Sequence, residues 1–354
     1  MSGRTAIEWT DTTWNPVTGC DKVSPGCDHC YAEGIARRFA GGPGFPNGFD
    51  VTLRPERLGD PLKWRKPRRV FVNSMSDLFH AAIPDRFIAQ VWAIMAATPQ
   101  HTYQVLTKRH GRMRTLLSSL DFDLAVAEEW TKLGTTAGSV REDHTPPYPL
   151  PNVWLGVSAE NQKWADVRIP VLLDTAAACR FVSAEPLLGP IDLNAIPDAR
   201  LDWPPCEDVD TGDRGGIDWL IVGGESGPGA RAMHPDWARR LRDQCTTYGT
   251  AFHFKQWGEW GPAPWRFQRN ADETDEQWIA RCEAEAATHT LPPWAHEYDM
   301  QPQKAHPAWG GERGELAPNE PHAPLRRWGK KRAGRELDGR TWDEFPAVNG
   351  GAVE

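Results

Sequence analysis

Six short apolar runs recur along the chain, and each ends in small, polar or acidic residues. Arg69–Val72 leads into Asn73-Ser74-Met75-Ser76-Asp77, Tyr103–Leu106 into Thr107-Lys108-Arg109, and Val153–Val157 into Ser158-Ala159-Glu160-Asn161. Cys179–Val182 leads into Ser183-Ala184-Glu185-Pro186, Trp219–Val222 into Gly223-Gly224-Glu225-Ser226-Gly227, and Ala251–Phe254 into Lys255-Gln256-Trp257. Helix-periodic segments separate them. Residues 85–97 place Phe87, Ile88, Val91, Trp92, Met95 and Ala96 on helical spacing behind Pro84-Asp85. Residues 111–120 and 162–175 follow the next runs, and 235–248 opens at His234-Pro235-Asp236 and closes at Gly249. Strands alternating with helices predict an α/β fold with a parallel sheet. Functional groups in such sheets and barrels collect at the carboxyl ends of the strands. A single Ser or Asn there reads equally well as turn or cap chemistry. Six such ends in succession, three of them with a Glu, favour a shared site.

A length of 354 residues suits one large domain or two ordinary ones, with a sizeable core. The 40 Lys and Arg against 48 Asp and Glu give a net charge of -8. That balance excludes a generally basic nucleic-acid coat but leaves room for a local basic groove. No apolar run approaches the ~18 residues of a membrane helix. Met1-Ser2-Gly3-Arg4-Thr5 has no apolar stretch behind its charge, so a secretory signal is not expected. The expected location is cytoplasmic, where thiols stay reduced. Residues 1–260 read as the main domain, with surface additions at about 121–150 and 194–216. Residues 261–325 read as an insertion or irregular extension, and the basic segment 326–354 as a tail folding back on the core.

The chain has 7 Cys, an odd number that argues against a fully paired disulfide framework. Three fall in Gly19-Cys20-Asp21-Lys22-Val23-Ser24-Pro25-Gly26-Cys27-Asp28-His29-Cys30-Tyr31-Ala32-Glu33, spaced C-x6-C-x2-C. Three thiolates gathered by Gly and Pro turns suit a soft metal or an iron–sulfur cluster. A structural zinc site normally closes with a fourth ligand, and His29, inside the C-x2-C step, is awkwardly placed to supply it. A more distant His keeps zinc open, and a site with no metal is the third reading. A [4Fe–4S] cluster on Cys20, Cys27 and Cys30 leaves one iron free to chelate S-adenosylmethionine; an electron passed into the sulfonium then yields a 5′-deoxyadenosyl radical. Cys179, Cys206, Cys245 and Cys282 read as bystanders, and no residue stands out as a hydrogen-atom donor.

Gly26-Cys27-Asp28-His29-Cys30-Tyr31-Ala32 resembles the second half of the radical S-adenosylmethionine motif, C-x3-C-x-aromatic-C, as spore photoproduct lyase and its relatives carry it. It departs from that motif in its longer first spacing and in His29 at the aromatic position. Over nearly the whole chain the sequence also resembles the phage gene-product thirty-seven/sixty-eight family. The matching stretches are Ile7–Thr10 with Thr13–Pro16, the cysteine loop, Asn73–Phe79, Ser183–Leu187, Val222–Gly227, Phe254–Trp260, and Gly329–Lys331 with Leu337–Arg340. The resemblance implies a partial (β/α)6 TIM-like barrel whose three-cysteine loop follows a first strand near residues 7–18. The apolar runs number one or two more than that architecture needs. It also implies a [4Fe–4S] cluster and S-adenosyl-L-methionine as cofactors, with zinc as the alternative. A reductant such as flavodoxin or ferredoxin, and a phage-encoded protein, are the implied partners. Candidate cofactor-binding residues are Tyr31, Ser74, Asp77, Ser158, Glu160, Glu185, Gly223, Gly224 and Glu225. Gly lets backbone approach a ligand, and a carboxylate accepts an ammonium or ribose hydroxyls. Each Glu reads alternatively as the partner of a Lys or Arg in the barrel mouth.

Trp is abundant at 18 residues, and Trp9, Trp14, Trp257 and Trp260 stand beside candidate site residues. They read as an aromatic pocket for a nucleobase or as large core residues. Basic residues cluster at Lys63–Arg69, at Lys108-Arg109 and at Arg326–Arg332. On one face they would track phosphates; dispersed, they are solvated charge. Lys108, Lys255 and Trp257 are the candidate substrate-binding residues, with DNA or RNA as the leading macromolecular substrate. The resulting expectation is a radical S-adenosylmethionine enzyme that modifies or repairs a nucleic-acid base. The alternative is a non-catalytic, zinc-dependent nucleic-acid-binding phage module.

Overall fold

A computed structural model describes residues 5, 7–134, 145–196, 216–262, 274, 276–277, 280 and 325–346. Two short strands, β1 (Thr12–Trp14) and β2 (Val17–Thr18), precede the cysteine loop, which enters helix α1 (Tyr31–Arg38). β3 (Thr52–Leu53) pairs antiparallel with β2. Then come β4 (Arg69–Val72), α2 (Asp85–Ala96), β5 (Thr102–Thr107), α3 (His110–Leu117) and α4 (Leu120–Lys132). β6 (Val153–Ser158), α5 (Gln162–Leu173), β7 (Cys179–Ala184), β8 (Trp219–Gly223), α6 (Pro235–Tyr248) and β9 (Ala251–Gln256) follow. The sheet has seven strands in the order β1-β4-β5-β6-β7-β8-β9, every neighbouring pair parallel, and it curls into a half-barrel. This is the expected TIM-like α/β architecture, with one strand more than six.

The strands read as apolar runs because both faces of the sheet are buried. Alternate residues point opposite ways. Val70, Val72, Tyr103, Val105, Leu155, Val157, Leu220 and Val222 join the core under the helices. Phe71, Trp154, Cys179, Phe181, Trp219 and Ile221 pack with Trp9 in a second cluster inside the half-barrel. Gly156 explains itself here: a Cβ on it would lie 2.5 Å from the Phe181 ring, so its absence makes room for the aromatic filling.

Helix α4 runs into the segment read as a surface addition and takes up its residues 121–132. Phe122, Val126 and Trp130 recur every fourth residue and are buried, and α4 packs on α2. The 194–216 and 261–325 segments lie almost wholly outside the described residues.

The described part of the C-terminal segment forms short strands. β11 (Leu325–Arg327) pairs with β10 (Trp260–Pro262), and β12 (Glu336–Leu337) pairs with β13 (Arg340–Thr341). The chain then runs antiparallel along β9: Phe254 N–H donates to Trp342 O at 2.9 Å, and Glu344 N–H to Phe252 O at 3.3 Å. An otherwise open sheet edge is thereby covered. Among the described residues, no helix is long and apolar enough to cross a membrane.

Candidate functional site

The cysteine loop crosses the mouth formed by the carboxyl ends of the strands. It leaves β2 through Gly19, whose φ is 87° and whose Cβ would sit 2.2 Å from Asp50 O, so only glycine allows this chain crossing. Gly19 N–H donates to Met75 O at 3.0 Å, tying the loop to the turn after β4. The far end enters α1, where the Tyr31 hydroxyl donates to Ser74 O in the same turn.

Two of the three strand-end glutamates hold this loop. Glu160, after β6, is fully buried; it accepts from the Ser24 hydroxyl, from Arg168 Nη1 at 3.0 Å, and lies 3.6 Å from Lys108 Nζ. Glu225, after β8, meets His29 Nδ1 at 3.0 Å and accepts from Arg231 Nε at 2.9 Å. Arg231 reaches on to Asp28 Oδ2 at 3.1 Å and Pro25 O at 2.8 Å, clasping the middle of the loop. Burial works to raise the Glu225 pKa, but the Arg231 and His29 hydrogen bonds outweigh it and hold the carboxyl below the usual carboxylate range. Glu185, after β7, pairs instead with Lys255 Nζ at 2.6 Å. All three glutamates therefore have cationic partners in the mouth.

Asp77 is a connector. It accepts from Thr107 Oγ1 at 2.7 Å and Lys108 N at 3.0 Å, and stands 3.5 Å from Arg109 Nη1. Arg109 Nη1 in turn lies 3.6 Å from Cys20 Sγ. Burial first, then the charges of Asp77 and Cys27, push the Cys20 thiol up to about 11 against the opposing pull of Arg109. A second brace comes from His80, whose Nε2 is 2.9 Å from Asp21 Oδ2.

The remaining candidates are dispersed. Ser158 is buried, and its carbonyl accepts from Arg168 at 2.8 Å. Gly223 leaves space for Glu185, whose Cδ would stand 3.2 Å from a Cβ there. Gly224 serves a chain crossing: its Cβ would meet Trp257 O at 1.9 Å, as that of Gly258 would meet Glu225 O at 2.1 Å. Trp257 turns away from the mouth and donates from Nε1 to Glu336 O at 2.8 Å in the C-terminal segment. The four tryptophans do not share a pocket: Trp14, Trp257 and Trp260 belong to the helix-side core, Trp9 to the half-barrel interior. The basic clusters at 63–69 and 108–109 lie at opposite ends of the sheet, since one precedes β4 and the other follows β5.

Arg168, Arg231, Arg109 and Ser24 carry much of this geometry; Arg109 was named from the sequence only within a basic cluster, and the other three were assigned no role. A signal existed for Arg168. It shares the buried helical positions of Ala165, Ile169 and Leu172, where an arginine needs a partner.

Cys20, Cys27 and Cys30 are free thiols, as are buried Cys179 and Cys245; Cys206 and Cys282 lie outside the described residues. Three reduced thiols on one loop are a donor set that suits an iron–sulfur cluster with one open iron. The loop brings them to one mouth without gathering them at one point: among the described residues no three His, Cys, Asp or Glu form a metal-ligand group.

No curated protein matches the chain in sequence. Among solved structures, a spore photoproduct lyase mutant with bound AdoMet and dinucleoside spore photoproduct is similar over 69% of this chain, at 11% identity and a TM-score of 0.35. The match covers 63% of that protein, less than two thirds of its length. Residues 4–346 match the sequence profile of the family described as "Protein of unknown function (DUF5131)", and the chain belongs to that family.

Proposed function

We propose that the chain is a radical S-adenosylmethionine enzyme acting on a nucleic-acid base, with Cys20, Cys27 and Cys30 as the ligands of a [4Fe–4S] cluster. The observation that carries this reading is the placement of three free thiols on one loop, tied by Ser24–Glu160 and His29–Glu225 across the carboxyl-end mouth of a parallel half-barrel. When bound, the cluster supplies the electron that cleaves S-adenosylmethionine homolytically.

The chain's own residues bind, orient and exclude water. Arg109 stands 3.6 Å from Cys20 Sγ and pulls against the burial that raises that thiol, a pull that binding of a metal by the thiolate would share. The Glu185–Lys255 pair offers one carboxylate and one ammonium at the mouth, groups able to receive the ammonium and carboxylate of an amino acid. Phe181, Trp154 and Trp219 fill the half-barrel below the mouth and keep water from entering through the floor.

Metal and sulfide analysis of anaerobically purified protein tests the reading. Iron with sulfide, and 5′-deoxyadenosine released on reduction with S-adenosylmethionine, is the expected result. Colourless protein containing zinc, or 5′-deoxyadenosine release unchanged by Cys27→Ala, overturns it.

A further inference from the structure

We propose that Asn73 is a base-reading residue whose carboxamide receives the edge of an adenine beneath the cysteine loop. The assignment deepens the reading above and rests on it for the choice of adenine. Asn73 closes β4 with a φ of 58°, one of two non-glycine residues in the left-handed region among those described. It is 2% exposed, and neither Nδ2 nor Oδ1 has a hydrogen-bond partner among the described residues. Its backbone is fully used, with N–H donating to Trp14 O at 2.8 Å and O accepting from Ser76 N at 3.2 Å. The side chain therefore does nothing for the turn that it starts. The left-handed backbone suits asparagine better than most residues, but a buried amide with all its hydrogen-bonding capacity unspent costs stability. Such costs persist where function requires them.

The position identifies the ligand's neighbourhood. Asn73 begins the turn whose Met75 and Ser74 carbonyls anchor the two ends of the cysteine loop. Asp77 of the same turn faces Arg109, which touches Cys20. Two residues back, Phe71 belongs to the half-barrel interior. The amide thus lies at the base of the thiol loop, on the rim of that interior. An uncharged group offering an acceptor beside a donor matches a nucleobase edge rather than a phosphate, and adenine presents its exocyclic amine beside a ring nitrogen. Adenine comes from the proposed cofactor or from a nucleic-acid substrate, and the chemistry at Asn73 is the same for both.

Adenosine titrated into metal-free protein, followed by calorimetry, tests this without a cluster. Inosine is the control because it lacks the exocyclic amine. Wild-type protein is expected to bind adenosine about tenfold or more tightly than inosine, the discrimination a two-point amide contact confers. Asn73→Gly, which suits the left-handed backbone, is expected to lose that preference while keeping or raising the thermal midpoint. Equal affinity for the two nucleosides, no adenosine binding, or an undiminished preference in Asn73→Gly overturns the assignment. Should the variant misfold, the wild-type comparison alone decides. Displacement of adenosine by S-adenosylmethionine assigns the cofactor's base; displacement by single-stranded oligoadenylate alone assigns a substrate base. Adenosine preference in a protein that takes up no iron or sulfide on anaerobic reconstitution would retain Asn73 and remove the radical chemistry.

Discussion

Glu160 and Arg168 form an ion pair at 3.0 Å in which neither side chain is exposed, directly under the cysteine loop. Arg168 also lies over the Trp164 ring at 4.2 Å, and its Nε and Nη2 have no hydrogen-bond partner among the described residues. Removing Arg168 leaves buried Glu160 with only Ser24 and the more distant Lys108, and removing Glu160 leaves buried Arg168 with only the Ser158 carbonyl. Arg168→Met or Glu160→Leu should therefore lower unfolding free energy by about 3–5 kcal/mol, with the double replacement costing less than the sum. Urea unfolding of the three variants measures this. Additive losses would mean that the pair is not coupled.

Gly26 separates loop placement from fold stability. A Cβ there would lie 2.4 Å from Glu160 Oε1 and displace the segment between Ser24 and Cys27. Gly26→Ala should keep an unfolding midpoint near wild type, because loop residues add little to the core, while iron content after anaerobic reconstitution falls severalfold. A variant that retains full iron loading shows that the loop need not sit against Glu160.

Gly224 tests a different role. The resemblance makes it a cofactor contact, whereas the geometry makes it a crossing point with Trp257 O at 1.9 Å from its would-be Cβ. Gly224→Ala should thus destabilise the metal-free protein by about 1–3 kcal/mol or more, through backbone displacement. Unchanged thermal unfolding with weakened S-adenosylmethionine binding would favour the ligand role.

The strands were legible because a sheet buried on both faces leaves continuous apolar runs, and their polar ends marked the mouth. The sequence carried Glu160, Glu185 and Glu225 to that mouth but not the identity of their partners. Arg231 follows Glu225 by six residues through an irregular loop, and Lys255 reaches Glu185 from another strand, so no period announces either. α4 was obscured by its acidic residues, although Phe122, Val126 and Trp130 keep a helical spacing. Asn73 was legible only as a polar residue at a strand end, where asparagine suits a turn; that its buried amide is unpaired is a property of the packing, invisible in Asn-Ser-Met-Ser.

His253 should make the fold acid-sensitive. Burial, with Arg335, Lys255 and Arg69 acting in the same sense and Asp343 opposing, lowers its pKa from 6.5 to about 4. The folded ring stays neutral while the unfolded ring takes a proton at its ordinary pKa. The full contribution is therefore present above 6.5 and is lost progressively as pH falls toward 4. The whole window corresponds to about 3 kcal/mol at most. In urea unfolding at pH 7.5 and 4.5, wild type should lose more stability than His253→Phe. Parallel losses in the two proteins would place the acid sensitivity elsewhere.

The C-terminal segment should prove part of the barrel. The Phe345 ring stands 5.0 Å from the Trp219 ring, and the Arg69 guanidinium lies 4.3 Å from the Phe345 centroid. Trp219 Nε1 donates to Glu344 O at 2.9 Å, so the same short stretch closes the floor and satisfies a buried indole. Truncation of half-buried Phe345 to alanine should cost about 2 kcal/mol, below the range for a fully buried phenylalanine. Ending the chain before Trp342 should cost more, since it strips the β9 edge of the Trp342 and Glu344 hydrogen bonds and leaves the indole unpaired. An exposed strand edge recruits other chains, so light scattering should find the shortened protein self-associated. A monomeric truncation with an unchanged unfolding midpoint would show that the half-barrel stands without this strap.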